Sequence, residues 1–298
     1  MKKFILKLLV ITGLFLILNL LYLRIIQKTD WNFSKAIEIK NFQDQEFDCL
    51  VLGNSLALDG IDTSFLTKKG IPSYNLAIGG ASLKTNFLQL KEYLKLNKQP
   101  TFVILGLSSC LNLNFNSEDI HPIIETTYRA SKNYSFKDLP LLKFKWLSTE
   151  LLKKIVSKNH RNATMELGQL KISKVVPDVS RYKDRVTTKV DLKKYSESIY
   201  LTKIDSLCKI NAIQLIALEM PGFKNTQNLI KENSIILIDS TNNKLELINL
   251  NNREVCRSLF NDTKDWLGNS HLNVQGAKKL TNYIYENILI DSAKDDLK

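Results

Sequence analysis

The sequence predicts an α/β protein built on a parallel sheet and preceded by one membrane-crossing helix. Three observations carry that prediction. Short apolar runs bounded by glycine or proline recur along the chain, at residues 47–52, 73–78, 101–107 and 212–218. Amphipathic helical stretches separate them, and continuous apolar strands alternating with helices describe a parallel sheet covered on both faces. Residues 4–26 are almost wholly apolar.

Taken in order, the apolar segment comes first. Its uncharged run is residues 8–23, with Lys7 and Arg24 at the edges. A spanning helix needs roughly 20 apolar residues, and terminal Lys and Arg side chains can reach the interface. Asn19 is the one awkward polar residue inside it. No small-x-small site follows, since residues 21–24 read LYLR, so the expectation is an uncleaved anchor over residues 1–28. The lysines of residues 2–7 place the N-terminus in the cytoplasm and residues 29–298 outside as a folded domain.

Residues 47–52 form a first buried strand ending at Gly53, and residues 73–78 a second, closed by Gly79 and Gly80. Leu83, Phe87, Leu90 and Leu94 are spaced three and four apart, the period of an amphipathic helix over residues 82–96. Residues 101–107 give a third strand, 191–210 a helix, 212–218 a fourth strand and 245–250 a weaker fifth. Residues 274–288 close the chain as a helix with Leu280, Ile284 and Ile288 on one face. Residues 112–190 fit no such pattern and are taken as an irregular insertion at the sheet edge.

Composition narrows the function classes. Lys and Arg number 42 against 30 Asp and Glu, a net charge of +12, of which residues 1–28 hold five. A basic balance fits an anionic polymer or lipid surface. The basic stretch 143–174 could meet one, although a solvated face is the simpler reading. No nucleic-acid motif is present, so nucleic acid is not an expected partner. Three His and four scattered Cys argue against a metal site, and nothing calls for a cofactor. The cysteines, at 49, 110, 208 and 256, would lie outside the cytoplasm, where disulfides form; their pairing stays open.

In an open parallel sheet, chemistry collects beyond the carboxyl ends of the strands. Ser55 stands there, just after Gly53 and Asn54, where a helix N-terminus and a nucleophilic serine can coincide. Gly79 and Gly80 let a backbone N–H approach an oxyanion. His271 precedes a helix that Asn273 can cap, and is the natural base for Ser55. Asp59 and Asp62 could contact substrate but are expected first as helix-start carboxylates; Glu219 could line the cleft but is expected first as a solvated loop acid; Asn75 is a strand polar group that needs partners if buried.

In combination these pieces resemble the SGNH/GDSL hydrolase superfamily. The resemblance rests on residues 48–61 (DCLVLGNSLALDGI), 74–82 (YNLAIGGAS), 102–106 (FVILG) and 271–277 (HLNVQGA). Within it the chain is similar to the membrane-anchored bacterial branch of DltD and alginate O-acetylation proteins. The resemblance implies a flavodoxin-like three-layer α/β/α sheet, with Ser55 as nucleophile and His271 as base. It implies an oxyanion hole from the N–H of Ser55 and of Gly79 or Gly80, with Asn54 beside it. Two positions depart from the family. Gly268 stands where an Asp usually precedes the His by three, leaving Asp265, Asn269 or a backbone carbonyl to orient the ring; Asp265 is taken as the third member. Ser108 stands where an Asn would donate to the oxyanion.

The expected function is therefore serine acyl transfer, as O-acetyltransferase or esterase, on a cell-surface polysaccharide outside the bacterial cytoplasmic membrane. Similarity to the anchored branch implies a multi-span membrane acyltransferase as partner, and the N-terminal helix implies membrane lipid. A second reading keeps the fold without the chemistry, as a glycan-binding or assembly protein of a surface-polymer system.

Overall fold

The computed structural model describes residues 1–108, 119–130, 135–156, 163–175, 192–224, 226–238, 243–268 and 270–290. Cys110, His160 and Asn269 lie outside them. In chain order the elements are α1 (Lys2–Thr29), α2 (Trp31–Lys40), β1 (Cys49–Gly53), α3 (Ser55–Gly60), α4 (Thr63–Lys68), β2 (Ser73–Asn75), α5 (Leu83–Tyr93), β3 (Phe102–Leu107), α6 (Pro122–Tyr128), α7 (Pro140–Lys143), α8 (Lys145–Val156), β4 (Ala163–Glu166), β5 (Gln169–Ile172), α9 (Lys193–Ser196), α10 (Ile199–Ile210), β6 (Gln214–Glu219), β7 (Ser234–Leu237), β8 (Lys244–Asn249), α11 (Arg253–Leu259) and α12 (Val274–Ile284). They divide between two compact units, residues 1–41 with 122–160, and residues 42–121 with 161–298.

The first unit is helical. Its α1 is one helix long and apolar enough to cross a membrane. Asp30 breaks the chain between α1 and α2: its backbone is extended, its N–H bonds Ile26 O, and its carboxylate accepts from Phe33 N at 3.0 Å, capping α2. Phe33 and Ile39 of α2 are buried, and the Phe33 ring meets Phe144 edge-on at 4.9 Å.

The second unit holds a six-stranded sheet in the order β2-β1-β3-β6-β8-β7, parallel except for β7 at one edge. Strands β1 and β3 are buried along their whole length, as their unbroken apolar sequences require. Cys49 and Val51 share one core with Ile104, Leu218, and Leu280 and Ile284 of α12. Helices α3, α4 and α12 pack together, as do α5 and α10. Among the described residues of 112–190, α6, α7 and α8 belong to the helical unit and the hairpin β4–β5 to the sheet unit. Leu167 O of that hairpin's turn accepts from Asn75 N at 3.0 Å, covering part of the edge strand β2. Gly168 at the turn has φ +78°, and a Cβ there would lie 2.2 Å from Asn75 O.

Cys49, Cys208 and Cys256 are buried free thiols, each pushed up to about 12 by burial. None is ionised near neutral pH, so none of the three serves as a thiolate nucleophile.

Candidate functional site

The parallel strands end together at one edge of the sheet, and there the predicted residues gather. Gly53 pairs with Gly106, and Leu107 with Glu219. Beyond β2 the chain stays beside β1, with Leu76 N donating to Val51 O at 2.7 Å and Ile78 N to Gly53 O at 3.4 Å. Gly79 and Gly80 therefore follow alongside Asn54 and Ser55. Gly80 turns the chain with φ +76°. Ser108 is buried one residue past β3.

Gly53 is required on two counts. Its φ is +143°, and a Cβ would stand 2.6 Å from Ala57 Cβ and 2.8 Å from Gly106 O. Asn86 Oδ1 accepts from its N–H at 3.2 Å. The turn lets α3 start at Ser55 with Asn54 as cap, the Asn54 Oδ1 accepting from Leu56 N at 2.9 Å. That bond fixes the amide's orientation, so Nδ2 is a donor; it is buried with no partner among the described residues. Ser55 is half-buried. Asn75, expected to need partners, has them: Nδ2 donates to Ala57 O at 2.8 Å and Oδ1 accepts from Ala77 N at 2.9 Å. It ties α3 to the β2 exit.

His271 lies in the loop before α12, as expected. Asn273 caps that helix, accepting from Gln275 N and Gly276 N, and its Nδ2 donates to Lys264 O at 2.6 Å. The carboxylate that meets the imidazole is Asp59, whose Oδ2 is 2.8 Å from Nδ1. A carboxylate only accepts, so Nδ1–H donates, and in the neutral ring Nε2 keeps its lone pair. Asp59 follows Ser55 by four residues on α3, the spacing that puts two side chains on one helix face.

This corrects the assignment of Asp265 as the ring's partner. Asp265 is fully buried and its Oδ2 accepts from Asn261 N and Lys279 Nζ, both at 2.6 Å. It braces the loop against α12 instead. Asp62 behaves as a helix-start carboxylate, accepting from Phe65 N at 3.0 Å. Glu219, expected in solvent, is fully buried and accepts from Tyr195 OH at 3.2 Å. No hydrogen bond joins Ser55 to His271 among the described residues. In a ligand-free site such contacts are often long and tighten on binding.

A second imidazole, His121, sits by the β2 exit. A Cβ at Gly80 would be 3.9 Å from His121 Cδ2, and His121 N donates to Thr85 Oγ1 at 2.8 Å. Burial pushes its pKa down to about 4. It is neutral when folded, whereas an unfolded His takes a proton near pH 6.5. Its contribution is therefore present above pH 6.5 and lost as pH falls toward 4. Thermal unfolding of the full chain in detergent should show the midpoint falling across that window. A His121→Asn variant should show a shallower fall, and an unchanged slope would contradict a neutral, half-buried His121.

No known family model and no curated protein matches this sequence.

Proposed function

We propose that the chain is a serine acyl-transfer enzyme acting outside the cytoplasmic membrane, with an SGNH-like, flavodoxin-type arrangement of its sheet unit. The observation that carries the reading is the Asp59–His271 pair one helical turn from Ser55, at the carboxyl edge of the parallel strands. The strand order β2-β1-β3-β6-β8 supports it, being the doubly wound order with its switch point at β1 and β3.

In this reading Ser55 Oγ attacks the acyl carbonyl of an ester donor while His271 Nε2 takes the hydroxyl proton. Asp59 holds the ring's tautomer and stabilises the imidazolium. The oxyanion is met by the N–H of Ser55 and of Gly79 or Gly80, with the unpartnered Asn54 Nδ2 and the Ser108 hydroxyl as side-chain donors. Collapse expels the donor's alcohol, which takes the proton from His271, and leaves acyl-Ser55. A sugar hydroxyl or water then attacks with His271 again as base. The acceptor is a cell-surface polysaccharide, and a multi-span acyltransferase supplies the acyl group, both by similarity to the anchored branch. The apolar α1 supports a single-pass anchor with its N-terminus in the cytoplasm.

The test is acyl-enzyme formation on the full chain in detergent. An activated acetyl ester is added, the sample is quenched in acid, and the intact mass is measured. An acetyl increment is expected in the wild type and absent in Ser55→Ala and His271→Ala. The second reading, a non-catalytic glycan-binding or assembly protein, is favoured by the absence of a Ser55–His271 bond. It takes over if no adduct forms over hours with the donor-side partner also supplied.

A further inference from the structure

The helical unit carries an apolar surface that the proposed chemistry does not use. Up to Leu18, α1 is exposed on nearly every side. From Phe15 onward one stripe of it is covered, by the segment that follows α6. The Phe15 and Phe136 rings stack at 6.2 Å. Asn19 Oδ1 accepts from Leu141 N at 3.0 Å, and its Nδ2 donates to Phe15 O at 2.9 Å. Tyr22 OH donates to Phe144 O at 2.7 Å and lies 2.9 Å from Ser148 Oγ. The contacts climb α1 as the chain advances from 136 to 148, so this segment runs alongside the helix with Phe136 deepest.

Depth follows from the rise of the helix. Phe15 precedes Arg24 by nine residues, about 13 Å at 1.5 Å per residue. With Arg24 at the interface, Phe136 lies well inside the hydrocarbon of that leaflet. The chemistry of the segment fits this position. Its outward side chains include large apolar ones, with Phe136 68% exposed, Leu142 41%, Trp146 45% and Leu152 61%; the exposed Lys137 and Lys145 beside them have long apolar stems that let the ammonium groups reach toward the interface. Lys143 turns inward and pairs, its Nζ lying 2.6 Å from Glu125 and 3.4 Å from Asp138. Leu141 N, one of the donors that a helix start leaves free, is satisfied by Asn19, the single amide side chain in the apolar run. That is the role of Asn19 in an otherwise apolar helix.

We infer that residues 136–152 form a collar embedded in the leaflet at the C-terminal end of α1, with Phe136, Leu142, Trp146 and Leu152 against the acyl chains. The inference rests on α1 crossing the bilayer. Continuity with α1 identifies the occupant as lipid: Leu18, Leu21 and Ile25 of the helix are exposed beside the collar and need the same apolar solvent. A tryptophan near the rim of such a surface suits the interface, where its ring is apolar and its N–H wet.

The experiment uses the full chain reconstituted in phosphatidylcholine–phosphatidylglycerol vesicles whose acyl chains are brominated. Trp31→Phe is compared with Trp31→Phe/Trp146→Phe, so that the difference reports Trp146 while Trp266, buried in the sheet unit, stays in both. The Trp146 signal is expected to fall about twofold or more in brominated lipid, and to resist aqueous acrylamide. A Phe136→Trp reporter in the double variant should be quenched more strongly by deep than by shallow bromines, and it serves if loss of Trp146 disturbs folding. Flotation of the same vesicles separates the two claims. A chain that floats, with Trp146 open to acrylamide and untouched by bromine, keeps the anchor and overturns the collar. Protection from both quenchers means that protein covers the face, which also overturns it. A chain that does not float removes the anchor and the inference with it.

Discussion

Asp59→Asn is expected to lower the acylation rate by about 10⁴ while leaving the fold intact, by analogy with the orienting carboxylate of serine proteases. The physical reason is the tautomer. Asp59 can only accept, so it holds the proton on His271 Nδ1 and keeps Nε2 free to take the Ser55 proton. An amide at the same place can turn its NH₂ toward the ring, which favours the proton on Nε2 and removes the base. It also withdraws the charge that stabilises the imidazolium. Asp265→Asn should behave in the opposite way. Its Oδ2 serves the Asn261 N–H and Lys279, with no contact to the imidazole. Losing that buried charge should lower the unfolding midpoint and leave the rate per folded molecule near wild type. Acylation by an activated ester, read beside thermal unfolding of each variant, distinguishes the two carboxylates. Loss of rate in Asp265→Asn with full rate in Asp59→Asn would reverse the assignment.

The confusion between these two acids marks how far sequence reading reached. The strands β1, β3 and β6 were visible as apolar runs bounded by glycine or proline, and β8 only as a weaker run with polar residues between its apolar ones. The exits were visible for the same reason, since Gly53 and Gly80 occupy backbone conformations that favour glycine. Asn75 was legible as a polar group needing partners, and Asn273 as a cap. Less visible were elements whose stability comes from what they pack on. Helix α3 has six residues, too few to show a period, and β7 exposes Ile235 and Leu237 at the sheet edge. The pairing of Asp59 with His271 spans 212 residues of chain and depends on α12 packing against α3. The one local signal was the four-residue spacing from Ser55, which is informative only once α3 is known to be a helix. Glu219 was misread because its position after an apolar strand resembles a loop, whereas Tyr195 covers it.

Gly276→Ala is expected to disable the site from a distance. A Cβ there would lie 2.3 Å from Asp265 O and 2.8 Å from Leu272 Cδ2. Asp265 O is not free to move, because Asn273 N donates to it at 3.0 Å, and Leu267 N donates to His271 O at 2.8 Å within the same loop. The clash must therefore be relieved by shifting α12 or the loop that carries His271. Overpacking of this kind costs about 1–3 kcal/mol, and a 1 Å displacement of a catalytic group can cost about 10² in rate. Both a lower unfolding midpoint and a rate loss beyond the unfolded fraction are expected. Gly268→Ala is the internal control, since a Cβ at that position meets nothing within 4 Å. It lies three residues before His271 and should change neither quantity measurably. If Gly268→Ala matched Gly276→Ala, the loop's mobility rather than the seat of α12 would be positioning the imidazole. If Gly276→Ala lost stability but kept its rate per folded molecule, His271 would be held by Asp59 alone.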